Sequence, residues 1–507
     1  MILRNIFILL LLIFLGLLSL FHTKNVSAEV QNEVKNLPLK VTGTIPDWLS
    51  GSLIRNGPIK VTVDGKTNEH WFDGLAMLHA FSFEKGHVHY SNRFLRTDAY
   101  HKVFEEGSIQ YGGFAADPCR TTFKKSLTLH NANVNVAKLA EAYVAMTEVP
   151  LPVKFDLNTL ETLGVFDYKD ALPKEKCWES AHPHYDVREK KTLNYLIEYG
   201  KTSYYTLYSI ADGSAQRKVI AKVPVARPAY MHSFAITENY MILTEFPLVV
   251  NPIDLLLKNR PFIHNFAWQP ERGTQFIVIS RKDGSVVGTY PAKPFFAFHH
   301  ANAFEKEGVI YLDIVTYKDA EIITGTSLHV QAEPTYNDES ASQLERFSIY
   351  LNNGKIESEV LLSYSNEFPT VPDALDGAPY RYVYLAAFHD KAEDKKNLSK
   401  GEGLYKLDTD TKELKEWTEP GCSAGEPIFV SSPTPSAEDD GVVMALILDR
   451  LHDDSFLLIL DGKSFQELGR ARAPHLIPSG LHGKYLTKKF NYPLLDFYPS
   501  YAALCAL

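Results

Sequence analysis

The sequence predicts an all-β protein, a β-propeller or a multi-sheet sandwich, and three observations carry that expectation. One local theme recurs from Glu29 onward: a short run alternating apolar and polar residues, a turn of Gly, Asp or Asn, and a second alternating run. Long stretches of helical periodicity are scarce. No shift in composition marks a linker after residue 29, so one closed body accounts for the chain better than a string of small domains.

Taken in order, the clearest hairpins are Val61 to Lys66 with Asp64-Gly65, Phe81 to Tyr90 with Lys85-Gly86, and Ile277 to Tyr290 with Asp283-Gly284. Ile349 to Leu362 with Asn353-Gly354 and Leu457 to Leu468 with Asp461-Gly462 follow. Such dipeptides supply the positive φ that tight hairpin turns require. Side chains alternate between faces along a strand, so each run buries one face. No blade signature of fixed spacing separates propeller from sandwich at this point.

Apolar residues make up 45% and charged residues 22%, the balance of a folded globular chain. The net charge of -9 argues against nucleic acid as a partner, which would need a basic face. The first residues differ from the rest: Arg4 precedes an apolar run from Ile6 to Phe21, and Val26-Ser27-Ala28 precedes Glu29. That order is a signal peptide over residues 1–28, leaving 29–507 as a single domain exported to a periplasmic, extracellular or lumenal space. An uncleaved anchor is the alternative; as a helix the run would span about 24 Å, short of the roughly 30 Å hydrocarbon core. Cys119, Cys177, Cys422 and Cys505 are widely scattered, so the fold does not depend on a disulfide framework.

Among 18 histidines, four stand in apolar or small surroundings: His182 in Ser180-Ala181-His182-Pro183, His232 in Tyr230-Met231-His232-Ser233, His299 in Phe298-His299-His300, and His482 in Gly480-Leu481-His482-Gly483. A protonated imidazole is costly in such a place, so each ring is expected neutral, with a lone pair to use. For any one of them an ordinary core histidine is the commoner explanation; four together weaken it. They lie 50, 67 and 183 residues apart, too far for a local zinc knuckle, yet the inner strands of a propeller bring distant residues to one axis.

Further stretches extend the pattern: Gly51-Ser52-Leu53-Ile54-Arg55-Asn56-Gly57-Pro58, Trp71-Phe72-Asp73-Gly74, Arg93 to Tyr100, Asp117-Pro118-Cys119, Gly425-Glu426-Pro427-Ile428-Phe429-Val430 and Glu438 to Val443. With these the chain, from about Pro38 on, resembles the carotenoid cleavage oxygenase family, in its branch with the β-carotene oxygenases and the retinoid isomerohydrolase. The resemblance implies a seven-bladed β-propeller under a dome of loops and helices. It also implies Fe(2+) on the axis, held by His182, His232, His299 and His482, with His184 and His300 structural. It pairs Glu148 with His232, Glu367 with His299 and Glu426 with His482, and leaves His182 without a carboxylate. Thr147, Tyr230 and Tyr317 are implied in the wall of a substrate tunnel.

Neutral imidazoles suit a divalent first-row metal, and carboxylates that accept their other N–H fix tautomer and orientation. No glycine-rich dinucleotide turn and no iron–sulfur spacing supplies electrons, so the expected reaction uses O2 alone. It cleaves a conjugated C=C bond of a carotenoid or apocarotenoid to two carbonyl products. An isomerohydrolase, a stilbene-type oxygenase and a metal-free binding propeller are the alternatives. Stilbene-cleaving relatives place a lysine before the first glutamate, where this chain has Thr147. The 29 Phe and 27 Tyr suit an apolar tunnel as well as an ordinary core. Residues 253–268, with Leu255-Leu256-Leu257, Phe262, Ile263, Phe266 and Trp268, read by pattern equally as a peripheral membrane contact or a core hairpin, and the resemblance implies the membrane contact.

Overall fold

The alternating runs form antiparallel hairpins in the computed structural model, which describes residues 32–63, 66–107, 113–115, 131–175, 177–258, 260–326, 341–388 and 402–487. The signal-peptide reading of residues 1–28 falls outside that set, as do Cys119 and Cys505. Cys177 and Cys422 are buried free thiols.

Seven sheets of four to six strands follow one another along the chain as the blades of a propeller. The inner strands are Gly483–Leu486 in the first blade, Asn135–Leu139 in the second and Ala235–Ile236 in the fourth. His300–Lys306 and Asn366–Thr370 serve the fifth and sixth. In the third blade the inner position is split between Cys177–Glu179 and His184–Asp186, and in the seventh between Cys422–Ala424 and Ile428–Ser431.

Segments near both ends of the described chain close the ring. Gly483–Leu486 pairs with Gly51–Lys60 inside the first blade, whereas Lys40–Gly43 pairs with Glu467–Arg472 at the outer edge of the seventh. Leu53, Phe81 and Tyr90 of the first blade pack on Met444, Leu457 and Ile459 of the seventh, so an apolar seam lies behind that closure.

The turns explain the register. Glu84 pairs with His87 across a two-residue loop in which Lys85 and Gly86 have φ of 48° and 75°, the left-handed pair that suits strand twist. The Asp461-Gly462 turn works differently: Phe465 takes the positive φ, and Gly462 is needed because a Cβ there would stand 2.4 Å from the Asp439 carbonyl oxygen.

Insertions are tied together by buried polar residues. Asp73 accepts the backbone N–H groups of Phe114 and Ala115, at 2.6 and 2.9 Å, and the His70 ring donates from Nε2 to the Ile323 carbonyl at 2.9 Å. Burial pushes Asp73 up to about 7, against those two N–H groups, and burial brings His70 down to about 4.

Candidate metal centre

Each blade sends one residue to the centre near the axis, a histidine to the common point or a glutamate behind a histidine. His482 comes from the segment entering the inner strand of the first blade, and Glu148 from the hairpin bend of the second. His182 sits in the gap that splits the third blade's inner strand; His232 and His299 precede those of the fourth and fifth. Glu367 lies on the sixth blade's inner strand, and Glu426 in the gap of the seventh. In the third and seventh blades the break in pairing lets His182 and Glu426 turn to the axis, whereas Glu367 is itself paired with Ala386.

The imidazoles face one another through Nε2. His182 and His232 approach to 2.9 Å and His299 and His482 to 3.1 Å, and one ring nitrogen from each of the four lies within 4.8 Å of the others. Each Nδ1 of His232, His299 and His482 meets a carboxylate: Glu148 at 2.6 Å, Glu367 at 2.5 Å and Glu426 at 2.8 Å. With the proton on Nδ1, every Nε2 of those three rings carries a lone pair toward the common centre. Converging buried lone pairs repel unless a cation lies among them. Adjacent nitrogens about 2.1 Å from one ion stand about 3 Å apart, so the donor set fits a divalent metal.

Electrostatics agree with neutral rings. Burial, and then the neighbouring imidazoles, hold His182 and His232 well below the usual histidine range. Burial also lowers His482, against the pull of Glu426. The carboxylates differ: burial raises Glu148 well above its ordinary value, opposed by the Tyr230 hydroxyl. For Glu426 burial acts upward too, but His482 and Arg55 beside it outweigh burial and hold it below.

The two faces of the centre are unlike. Residues that follow the histidines down the inner strands, among them His184, Ser233, Phe234 and His300, line a cavity of about 70 Å³ with Phe368 and Pro369. His184 bonds Asp376 through Nδ1 at 2.8 Å and the Phe234 carbonyl through Nε2 at 2.9 Å, whereas His300 lies between the Ser233 and Thr244 hydroxyls at 2.7 Å each. Both are therefore fully engaged away from the centre.

Residues that precede the histidines lead into an aromatic cluster. Phe298 lies 5.6 Å from the His232 ring and 6.0 Å from Phe72; Phe72 meets Phe114, and Phe114 meets Tyr230. Tyr230 packs edge-on to Trp178, which stacks on Phe262 at 4.4 Å. This run of rings links the histidines to residues 262–268. The segment 253–268 is divided rather than uniform: Leu255, Phe262 and Ile263 are buried, but Ile253 and Leu257 are 56% and 77% exposed on the short helix Pro252–Leu257. Among the described residues no helix is long and apolar enough to cross a membrane.

The seven histidines and glutamates singled out in the sequence thus meet, with the pairing expected of them. Tyr230 and Tyr317 reach the same region and turn their hydroxyls to Glu148, at 3.1 Å, and Glu367, at 3.0 Å. Thr147 ends the strand that delivers Glu148 and is half-buried. Two neighbours escaped the sequence reasoning. Arg55 bonds Glu426 at 2.5 Å, although only its place in a family-like stretch marks it. Phe368 packs on the His299 and His482 rings with a φ of 52°, a backbone state that no sequence pattern announces.

The profile of the family described as retinal pigment epithelial membrane protein matches residues 26–487. A mitochondrial carotenoid-cleaving dioxygenase of Mustela putorius furo is 31% identical, over 88% of this chain and 93% of its own. The β,β-carotene 15,15'-dioxygenase of Rattus norvegicus is 31% identical over 90% of each chain, and a carotenoid isomerooxygenase of Galleria mellonella 31% over 89% and 93%. Among solved structures, a variant of the Synechocystis apocarotenoid oxygenase superposes with a TM-score of 0.80 at 28% identity, covering 91% of this chain and 97% of that one. A cobalt-substituted form of the same oxygenase gives 0.78 at 29% identity, over 90% and 97%. With the match spanning nearly the whole described propeller, the chain belongs to the retinal pigment epithelial membrane protein family, that of the carotenoid cleavage oxygenases.

Proposed function

We propose that this protein is an iron(II)-dependent dioxygenase that cleaves a conjugated double bond of a carotenoid or apocarotenoid with O2, giving two carbonyl products. The observation that carries the reading is the convergence of four imidazole Nε2 atoms beside a run of aromatic rings. The relatives' names supply the substrate class. His182, His232, His299 and His482 would hold the metal; iron(II), when bound there, supplies the activation of O2 that an unaided polyene lacks. Glu148, Glu367 and Glu426 keep the proton on Nδ1 of their histidines and aim each Nε2. Phe298, Phe72, Phe114 and Tyr230 offer flat apolar walls that fit a rigid polyene and keep water from the reacting bond.

Access for such a substrate runs through a membrane surface in this reading. Ile253 and Leu257 dock the propeller on lipid, and the stacked rings of Phe262, Trp178 and Tyr230 lead inward from there. Residues 1–28 direct export and are removed; amino-terminal sequencing of protein recovered outside the cytoplasm, beginning near Glu29, tests this.

The activity is tested with Fe(II), labelled O2 and a detergent-dispersed carotenoid or apocarotenal. The expected result is one O2 consumed per bond cut, with label in both carbonyls after allowance for exchange with water. Equal product formation under argon would overturn the oxygenase reading and leave an isomerohydrolase, with the metal acting as a Lewis acid.

A further inference from the structure

The three glutamates that support the histidines are held by chemically different neighbours. Glu148 and Glu367 each receive a tyrosine hydroxyl, which donates a proton but balances no charge. Glu426 faces a guanidinium. Arg55, 3% exposed on the strand Gly51–Lys60, donates from Nη1 to Glu426 Oε2 at 2.5 Å and from Nη2 to the Leu481 carbonyl at 2.6 Å. The same carboxylate takes the His482 ring at Oε1 and the Gly483 N–H at Oε2, at 2.8 and 2.9 Å.

The backbone around His482 is shaped to admit this side chain. Asn56 donates its N–H to the His482 carbonyl at 2.8 Å and accepts that of Leu481 at 3.0 Å, so residues 55–56 run tightly along 481–483. A Cβ on Gly483 would stand 2.6 Å from Arg55 Cδ and 2.4 Å from the Ile54 carbonyl oxygen. Glycine there is the condition for Arg55 to pass across the closing strand and reach the seventh blade.

We propose that Arg55 is a positioning residue of the metal centre, which fixes His482 from two sides at once: through Glu426 and through the carbonyl of Leu481. The proposal rests on the four histidines being the ligand set, but on neither the identity of the metal nor the reaction. A planar fork can bond two acceptors in different directions, which a lysine cannot do with the same geometry. Because those acceptors lie on the seventh and first blades, the residue also locks the ring's seam to one ligand.

The test is metal affinity of purified, demetallated protein, read with Co(II) and Zn(II) against a competing chelator, together with the Co(II) visible spectrum. Arg55→Met should weaken binding about 10- to 100-fold and shift the cobalt bands, with Arg55→Lys intermediate. Because Arg55 acts through Glu426 as well as through Leu481, Arg55→Met should cost less in the Glu426→Gln background than in the wild type, by more than the about twofold scatter with which independent losses multiply. Full multiplication of the two losses, or wild-type affinity and spectrum in Arg55→Met, would overturn the proposal. Should Arg55→Met not fold, Arg55→Lys decides: a shifted spectrum with weaker binding supports the fork, and an unchanged spectrum with unchanged binding defeats it. Wild-type protein that binds neither metal would instead defeat the reading of the centre itself.

Discussion

A histidine cut back to alanine at this centre removes one of four converging ring nitrogens and, at His232, His299 and His482, also leaves a glutamate buried without the ring it supports. His182→Ala, His232→Ala, His299→Ala and His482→Ala should therefore each lose bound metal, measured as ions per chain after anaerobic loading. His300→Ala should keep it, because that ring is spent on the Ser233 and Thr244 hydroxyls. Loss of metal in His300→Ala with retention in His299→Ala would reverse the choice within the pair. Glu367→Gln is milder, since an amide oxygen still accepts the Nδ1 proton of His299; about 10- to 100-fold in metal affinity is the expected cost, and wild-type affinity would remove Glu367 from the support. At this scale the sequence was informative wherever a polar residue stood among apolar neighbours, as His232 and Glu367 do. Arg55 is a different case: an arginine on a strand ordinarily reads as an outward-facing residue, and only the third dimension shows its two buried acceptors.

Hairpins were legible because their turns need particular residues; the ends of blades were not, because no repeated signature marks them. The breaks at 180–183 and 425–427, which aim His182 and Glu426, have no pattern of their own. Within the first blade His79 is 2% exposed, bonded to the Tyr90 hydroxyl at 2.7 Å, and brought down to about 3 by burial, with His475 and Arg55 acting in the same direction. The unfolded chain takes up this proton below about 6.5 and the folded chain only near 3, so His79 contributes stability that is lost as pH falls through that window. Between neutral pH and about pH 5 the loss is about 2 kcal/mol, and the fall in urea midpoint should be smaller in His79→Gln. An equal fall in both proteins would refute the assignment. For the helix Pro252–Leu257, Leu257→Ser should reduce partition onto lipid vesicles about tenfold, from the apolar area it withdraws; unchanged sedimentation with vesicles would remove this helix as the docking element.

At the scale of the whole molecule, composition and hairpins left propeller and sandwich level, and the wide spacing of the histidines tipped the balance toward an axis. The ring then explains the spacing: four histidines and three glutamates are one contribution from each blade. Lys40–Gly43 completes the seventh blade, while Leu37–Pro38 pairs with the outer strand His87–Phe94 of the first blade and Gly483–Leu486 forms its inner strand, so the described chain begins and ends in the first blade. The centre consequently depends on the cyclic order of the blades and on no particular starting point. A circular permutant opened at the exposed Gly213 turn, with residues 32 and 487 joined by a flexible linker, keeps every strand pairing among the described residues. It should bind metal with the affinity of the original chain; a folded permutant without metal would mean that chain order, and not the ring, builds the centre. Removing or duplicating a blade has the opposite consequence, since it changes the number of residues that meet at the axis, so this architecture tolerates being cut and rejoined far better than being resized.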